Sequence, residues 1–404
     1  MDEELRESAT EHVRTAVGRG RETFLEVVES TVEYLEDAAE PEELRSLAWS
    51  VASDEFAAAL ADQATWPERT DNDRLAEAFY ALNLAGIVAR QDFACCQNCG
   101  VTEIGDAVPD PATARGYVFY HQQDAERAVA GGGVFLAFGS LGRVPAAEIG
   151  AEVAAALTAA GLTVDWDGTV ARRIHVSLDW AVRRHGRLAA YAPAPEPIPD
   201  VEVAVVDDAS SSPVDAGRES AESLALLELP WLPADVRLRT ARLPAAGDPA
   251  TGDPAAATGD PVVVRREFDR LRTDDGRVAG RFDGLRLLRG EAVPEPTDEP
   301  DLLEVRYDDG TYHHDSPMTL TETLAVLRAM PVAGTWLSAQ GRGGGVVQLS
   351  WPDGELWVES PDPADRTTTG AHTSIGEAER LLTLLAAEDR AAVHELAGAT
   401  TRPW

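Results

Sequence analysis

Cys95, Cys96 and Cys99 are the only cysteines of the chain and lie within five positions of one another. In Cys96-Gln97-Asn98-Cys99 two thiols are separated by two residues, a spacing that lets two thiolates occupy adjacent corners of a zinc tetrahedron. Cys95 is a third candidate ligand, and His121, farther along, a fourth. A second CxxC is absent, so redox chemistry and a plain buried thiol cluster stay open beside zinc. A thioredoxin-type dithiol wants a strand running directly into a helix whose N-terminus lowers the thiol pKa. Here a long helical pattern precedes the cysteines and Gly100 follows them.

The other polar constellations are weaker. His121 ends an aromatic strand with Asp124 just beyond, which suits a general base or a histidine that only hydrogen-bonds at a strand end. His175, Ser177 and Asp179 alternate along a strand, about 6.6–6.8 Å apart, too far for a Ser-His-Asp relay, so they read as a polar sheet face. Gly341 to Gly345 (GRGGG) lies between strand-like segments with no helix behind it to hold phosphate, and reads as a hairpin loop. His394-Glu395 begins HExxH but has Gly398 at the last position, and Asp165-Trp166-Asp167-Gly168 brings its glycine too early for a calcium loop. His313, His314 and Asp315 read as a turn-like polar patch. Trp336, Trp351 and Trp357 serve either as core or as interface anchors.

The elements that carry these residues indicate an α+β protein. The first ninety residues read as helices: Phe24, Val27, Val28, Val32 and Leu35 recur at i, i+3, i+4 over 20–38, another helix opens at Pro41, and a third follows Asp71. From 116 to 190 a small β-α-β-α-β-β unit is expected: strands over Gly116–His121, Val134–Phe138, Leu162–Trp166 and Ile174–Trp180, and helices from Asp124 and Pro145, the second ended by Gly161. Residues 1–190 form one domain in this reading. A proline-rich connector (APAPEPIP) leads to a less legible β-rich region, 200–290, with strands near Val201–Val206 and Val236–Leu243. Its three Gly-Asp-Pro copies, at Gly247, Gly252 and Gly259, read as a loop. After a second linker, Glu291–Pro300, residues 300–398 form a small sheet with helices on one face: strands Leu302–Tyr307, Thr335–Gln340, Val346–Trp351 and Glu355–Glu359, a turn at Pro352-Asp353-Gly354, and helices Leu320–Met330 and Glu377–Leu396.

Composition narrows the function. The 404 residues carry 35 basic and 70 acidic side chains, a net charge of −35, and every basic residue is Arg. A polyanion such as nucleic acid, or an anionic membrane, meets repulsion over most of such a surface. Without Lys there is no P-loop lysine, Schiff base or Ser-Lys dyad. The first 24 residues lack the basic start and apolar block of a signal peptide, and no segment approaches the ~18 apolar residues of a membrane span, so the chain reads as cytoplasmic with reduced cysteines.

The segments GYVFYHQQD (from Gly116) and GGGVFLAFG (to Gly139) resemble an uncharacterised domain-of-unknown-function family of high-GC Gram-positive bacteria over about the first 190 residues. The resemblance implies no activity, cofactor or catalytic residue. The C-terminal GVVQLSWPDGELWVE and the acidic helix after it look like small α/β immunity-type proteins, which neutralise toxins. Two readings follow. One is a non-catalytic interaction protein, without a cofactor, whose acidic surface binds a basic protein. The other is a metal-dependent or small-molecule enzyme with its site near Cys96, Cys99 and His121.

Overall fold

A computed structural model describes residues 3–67, 69–108, 114–206, 214–232, 236–241, 261–267, 270–291, 303–308, 313–330, 335–351 and 356–403. Four helices open the chain: α1 (Glu3–Arg19), α2 (Phe24–Tyr34), α3 (Pro41–Gln63) and α4 (Asp71–Leu84). The second helix is shorter than its apolar pattern because Gly20 is left-handed (φ 71°) and Thr23 caps the start. The Thr23 hydroxyl accepts from Glu26 N–H while the Glu26 carboxylate accepts from Thr23 N–H at 2.7 Å, and Thr70 with Asp73 repeats this reciprocal box on α4. Phe24 meets Trp49 and Phe56 edge-on, at 4.9 and 5.4 Å, in the core of α1 to α3. The proline-rich stretch seals that core. Ser53 Oγ donates to the Ala192 carbonyl (2.6 Å) and Trp49 Nε1–H to that of Pro193 (3.1 Å).

Next come β1 (Ile87–Arg90), α5 (Gln97–Glu103), β2 (Gly116–Phe119), α6 (Gln122–Val129), β3 (Val134–Ser140), α7 (Ala146–Ala159), β4 (Thr163–Asp165), β5 (Ile174–Ser177) and the short α8 (Gly186–Ala189). They form a five-stranded sheet in the order β1-β2-β3-β5-β4, with β1 and β2 parallel and the other pairs antiparallel. The expected β-α-β-α-β-β order holds from β2 to β5; β1 and α5 are additions to it. The helix expected from Asp124 starts at Gln122 with His121 at the N-cap, and Asp124 is buried inside it instead of capping it.

A six-stranded antiparallel sheet, β11-β10-β9-β8-β6-β7, follows. It comprises β6 (Val201–Val206), β7 (Val214–Glu219), β8 (Arg237–Ala241), β9 (Pro261–Glu267), β10 (Arg270–Thr273) and β11 (Val278–Gly280), with α9 (Ala221–Ser223) continuing as a π-helical turn, Leu224–Glu228, and α10 (Gly284–Leu288). The Gly-Asp-Pro copies and nearly all of the second linker lie outside the described residues.

The last unit is a seven-stranded antiparallel sheet, β13-β12-β14-β15-β16-β17-β18, packed by two helices. Its elements are β12 (Leu303–Asp308), β13 (His313–Met318), α11 (Leu320–Ala329), β14 (Trp336–Gln340), β15 (Val346–Ser350), β16 (Trp357–Asp362), β17 (Thr367–His372), α12 (Ile375–Glu388) and β18 (Thr400–Pro403). Two expectations change here. His313 to Asp315 belong to a strand, paired with Asp308 to Arg306, and not to a turn. The closing helix ends at Glu388 because Asp389 adopts a left-handed φ of 56°, which leaves Val393 in a separate 3-10 turn. The turn at Pro352–Gly354 lies outside the described residues.

Helix α4 faces both ends of the chain. One side packs on the five-stranded sheet through Leu75, Phe79 and Leu82. On the other, Tyr80 stacks on Trp357 with ring centres 3.9 Å apart, His372 meets Tyr80 edge-on at 5.4 Å, and the Arg402 guanidinium lies 5.6 Å from the Tyr80 ring centre.

Candidate functional site

Because β1 and β2 are parallel neighbours, the chain leaves both at the same edge of the sheet, the carboxyl end at which ligands bind in open parallel sheets. After β1 the backbone turns through Asp92 (φ 48°) and Ala94 (φ 61°), left-handed conformations that are strained for residues with a side chain. Hydrogen bonds to the end of β2 hold the turn: Phe93 N–H donates to the Tyr120 carbonyl at 2.9 Å and Gln122 N–H to that of Ala94 at 3.1 Å. Cys95 follows, and Cys96 occupies the N-cap of α5. Gly100 lets α5 lie on β2, since a Cβ there would come within 2.4 Å of the Phe119 ring.

This path gathers the thiols. Cys95 Sγ and Cys99 Sγ are 3.5 Å apart, and all three sulfurs lie within 4.8 Å of one another. Cys95 is exposed and the other two are half-buried. The backbone N–H of Cys99, and then its thiol, hydrogen-bond to the Cys96 sulfur and hold its pKa below the ordinary thiol value. Cys99 is pushed the other way, up to about 12, by the neighbouring sulfurs of Cys95 and Cys96. The shared hydrogen bonds thus push the two thiols in opposite directions. The sequence-based objection to a dithiol motif also falls away, because the strand β1 separates α4 from the cysteines and a helix starts immediately after Cys96.

His121 takes the equivalent place on the neighbouring unit, at the N-cap of α6. Its Nε2 lies 3.0 Å from Asp124 Oδ2. Asp124 is wholly buried and also accepts from Arg127 at 3.0 Å and Arg173 at 2.9 Å. Burial lowers the His121 pKa, with Arg173 and Arg127 opposing the attraction of Asp124. Nε2 lies between the Asp124 carboxylate and Arg173 Nη1, 3.3 Å away, and Nδ1 is buried without a hydrogen-bond partner. Among the described residues the group of ligand atoms within 4.8 Å of one another consists of the three thiols, and His121 stands outside it.

Three neighbouring side chains were not visible as site residues in the sequence. Asp92 is buried and accepts from Arg19 at 3.0 Å, and Arg173 reaches Asp124 from the start of β5. Arg19 comes from the end of α1, 73 residues before Asp92, so no local spacing could reveal the pair. The remaining candidates have structural places. His175 Nε2 faces the Gly132 carbonyl at 3.1 Å and its ring packs on Phe135, while Ser177 is exposed. Gly341 N–H donates to the Gly345 carbonyl across the loop between β14 and β15, at 2.9 Å. Glu395 pairs with Arg390 in its 3-10 turn, Asp167 accepts from Thr169 N–H at 2.9 Å, and Trp351 and Trp357 are buried.

Residues 2–184 match the family model of a domain of unknown function, DUF6891. Over that span the N-terminal unit is similar to the family. Its matched span carries the thiols, His121, Asp124 and Arg173, and stops before the six- and seven-stranded sheets. No curated protein and no solved structure matches the chain. No described helix is long and apolar enough to cross a membrane.

Proposed function

We propose that the DUF6891 domain binds zinc through Cys95, Cys96 and Cys99, in a cytoplasm that keeps the thiols reduced. The observation that supports this reading is the mutual approach of the three sulfurs. With Zn–S near 2.3 Å, two sulfurs at tetrahedral corners stand about 3.8 Å apart; the Cys95–Cys99 separation is 3.5 Å and no pair exceeds 4.8 Å, so small rotamer shifts close the site. The ion would ionise all three thiols, starting from the already lowered Cys96. Its fourth corner is left for water or a substrate atom, the open coordination of a catalytic or exchangeable zinc. Elemental analysis after dialysis should find one zinc per chain, lost in Cys96→Ser and Cys99→Ser and retained in His121→Ala. Protein that purifies without zinc and binds none at micromolar concentration would sink the reading.

A second reading, binding of a basic protein, draws on one surface. Glu26, Glu29, Glu33, Glu36, Asp37, Glu40, Glu42 and Glu43 are all exposed along α2 and the start of α3. No basic side chain interrupts residues 23–44, and Tyr34 among them is 59% exposed. Such a face steers a cationic partner and offers it one aromatic anchor. The immunity-like look of the C-terminal module makes a basic toxin domain the partner to try first. Binding should weaken steeply with salt and fall at least tenfold in Glu33→Arg/Glu36→Arg; affinity indifferent to both would reject it.

A further inference from the structure

The backbone alone brings Cys95 and Cys99 together. Cys95 follows Ala94, whose carbonyl accepts from the Gln122 N–H at 3.1 Å, and Cys99 precedes Gly100, whose missing side chain seats α5 on the Phe119 ring. The anchors, Phe119 and Gln122, stand at the end of β2 and the start of α6, and between them they set the two sulfurs face to face at 3.5 Å. A disulfide holds its sulfurs about 2.05 Å apart, so rotation of the two side chains has to close only about 1.5 Å. The other pairings are worse. Cys95 and Cys96 are consecutive, with Cα atoms about 3.8 Å apart, where disulfides usually span about 4.4–6.8 Å. The Cys96 sulfur accepts from the backbone N–H groups of Cys99 and Asn98, bonds it would give up on turning toward the Cys99 sulfur. Cys95 is also the exposed member of the trio and meets a dissolved oxidant first.

We infer that Cys95 and Cys99 form a reversible disulfide with a hydroperoxide as oxidant, and that closing it empties the zinc site. The Cys95 sulfur attacks one peroxide oxygen, the O–O bond breaks, and the leaving hydroxide takes a proton to become water. The Cys99 sulfur then attacks the sulfenic acid; the S–S bond forms, the S–O bond breaks, and a second hydroxide leaves as water. Two electrons pass from the sulfur pair to the peroxide oxygens. The two protons come from the thiols, or from solvent where zinc already holds thiolates. Cys96 is then the one thiolate left to the ion, and a single ligand does not hold zinc. A neutral peroxide approaches a chain of charge −35 unopposed, whereas an anionic disulfide such as oxidised glutathione is repelled. Release of the ion rests on the zinc reading; the Cys95–Cys99 bond does not.

Treating the full chain with hydrogen peroxide, alkylating it, and mapping its peptides by non-reducing mass spectrometry tests the inference, with a chromogenic chelator reading free zinc. Expected are a Cys95–Cys99 crosslink with Cys96 alkylated, one zinc released per chain in step with it, and recovery of all three thiols with dithiothreitol. Cys95→Ser should abolish the crosslink and Cys96→Ser should keep it. Oxidised glutathione at equal concentration should react at least tenfold more slowly. A crosslink in protein that holds no zinc would uphold the disulfide and remove the zinc reading together with the release. Zinc-loaded protein that keeps its three thiols, or stops at a sulfinic acid, would overturn the switch and leave the zinc reading intact. A Cys96–Cys99 crosslink, or links between chains, would overturn the assigned pair.

Discussion

The N-terminal domain and the C-terminal sheet bury different things. The C-terminal core is apolar, built on Tyr307, Leu337, Trp351, Leu381 and Leu382, and its arginines pair near the surface, as Arg402 does with Glu359. The N-terminal domain instead takes charge inside. Asp124 is held by two arginines and a histidine, Asp92 by Arg19, and Arg184, 2% exposed, donates to the carbonyls of Val17, Glu22 and Leu188. Burying ions is costly unless they are paired and hydrogen-bonded, which is the arrangement these groups show.

That contrast can be broken most severely at Asp124. Asp124→Ala strands Arg173, Arg127 and His121 in a dry site and should cost about 3–5 kcal/mol, whereas Glu359→Ala in the C-terminal sheet should cost about 1 kcal/mol or less. Urea unfolding of both variants gives the two values, and similar values would erase the distinction.

Acid should act on both regions. Burial pushes His185 in the N-terminal unit and His372 in the C-terminal one down to about 4. Between that value and the ordinary 6.5 the unfolded chain binds more protons than the native one, so stability falls as pH drops, by up to about 3 kcal/mol per histidine. Glu228 behaves oppositely. Burial, with Glu219 beside it, raises it to about 8, so its contribution is lost as pH rises toward that value. Urea midpoints at pH 4.5, 6.5 and 8.5 should peak at the middle value, and His372→Gln should take about 2 kcal/mol from the rise between pH 4.5 and 6.5, nearly all of it once Glu228 is set against the two histidines.

The smallest expected effect sharpens the comparison at the helix starts. Thr23→Ala on α2 and Ser374→Ala on α12 each remove a side-chain cap and should cost about 1 kcal/mol alike, because capping is local and indifferent to what the core holds. A difference well beyond that between the two thermal shifts would show that the caps sense their surroundings.

Much of this was legible in the residues. Pro41, Gly161 and the apolar spacing of α2 to α4 mark helices wherever a cap or a period acts locally. Strand β1 escaped because four residues, Ile87 to Arg90, are too few to show alternation, and they continue the helical pattern of α4 directly. Missing β1 also hid the strand-to-helix path that presents Cys96. The left-handed turn at Asp389 was equally silent, since Asp tolerates that conformation without requiring it as Gly does. For the site, the thiols were found by spacing alone. The ionic shell of Asp92, Arg19 and Arg173 was not, because it is assembled from segments far apart in the chain.

Helix α4 has a practical corollary for anyone cutting the chain. The stretch shared with the family stops at residue 184, yet Ala192 and Pro193 plug the aromatic cluster of α3, and Tyr80 lies beneath Trp357. A fragment severed at 184 would leave the Trp49 indole N–H unanswered and a tyrosine ring bare to water. The matched segment is shorter than the piece that keeps its own surfaces covered.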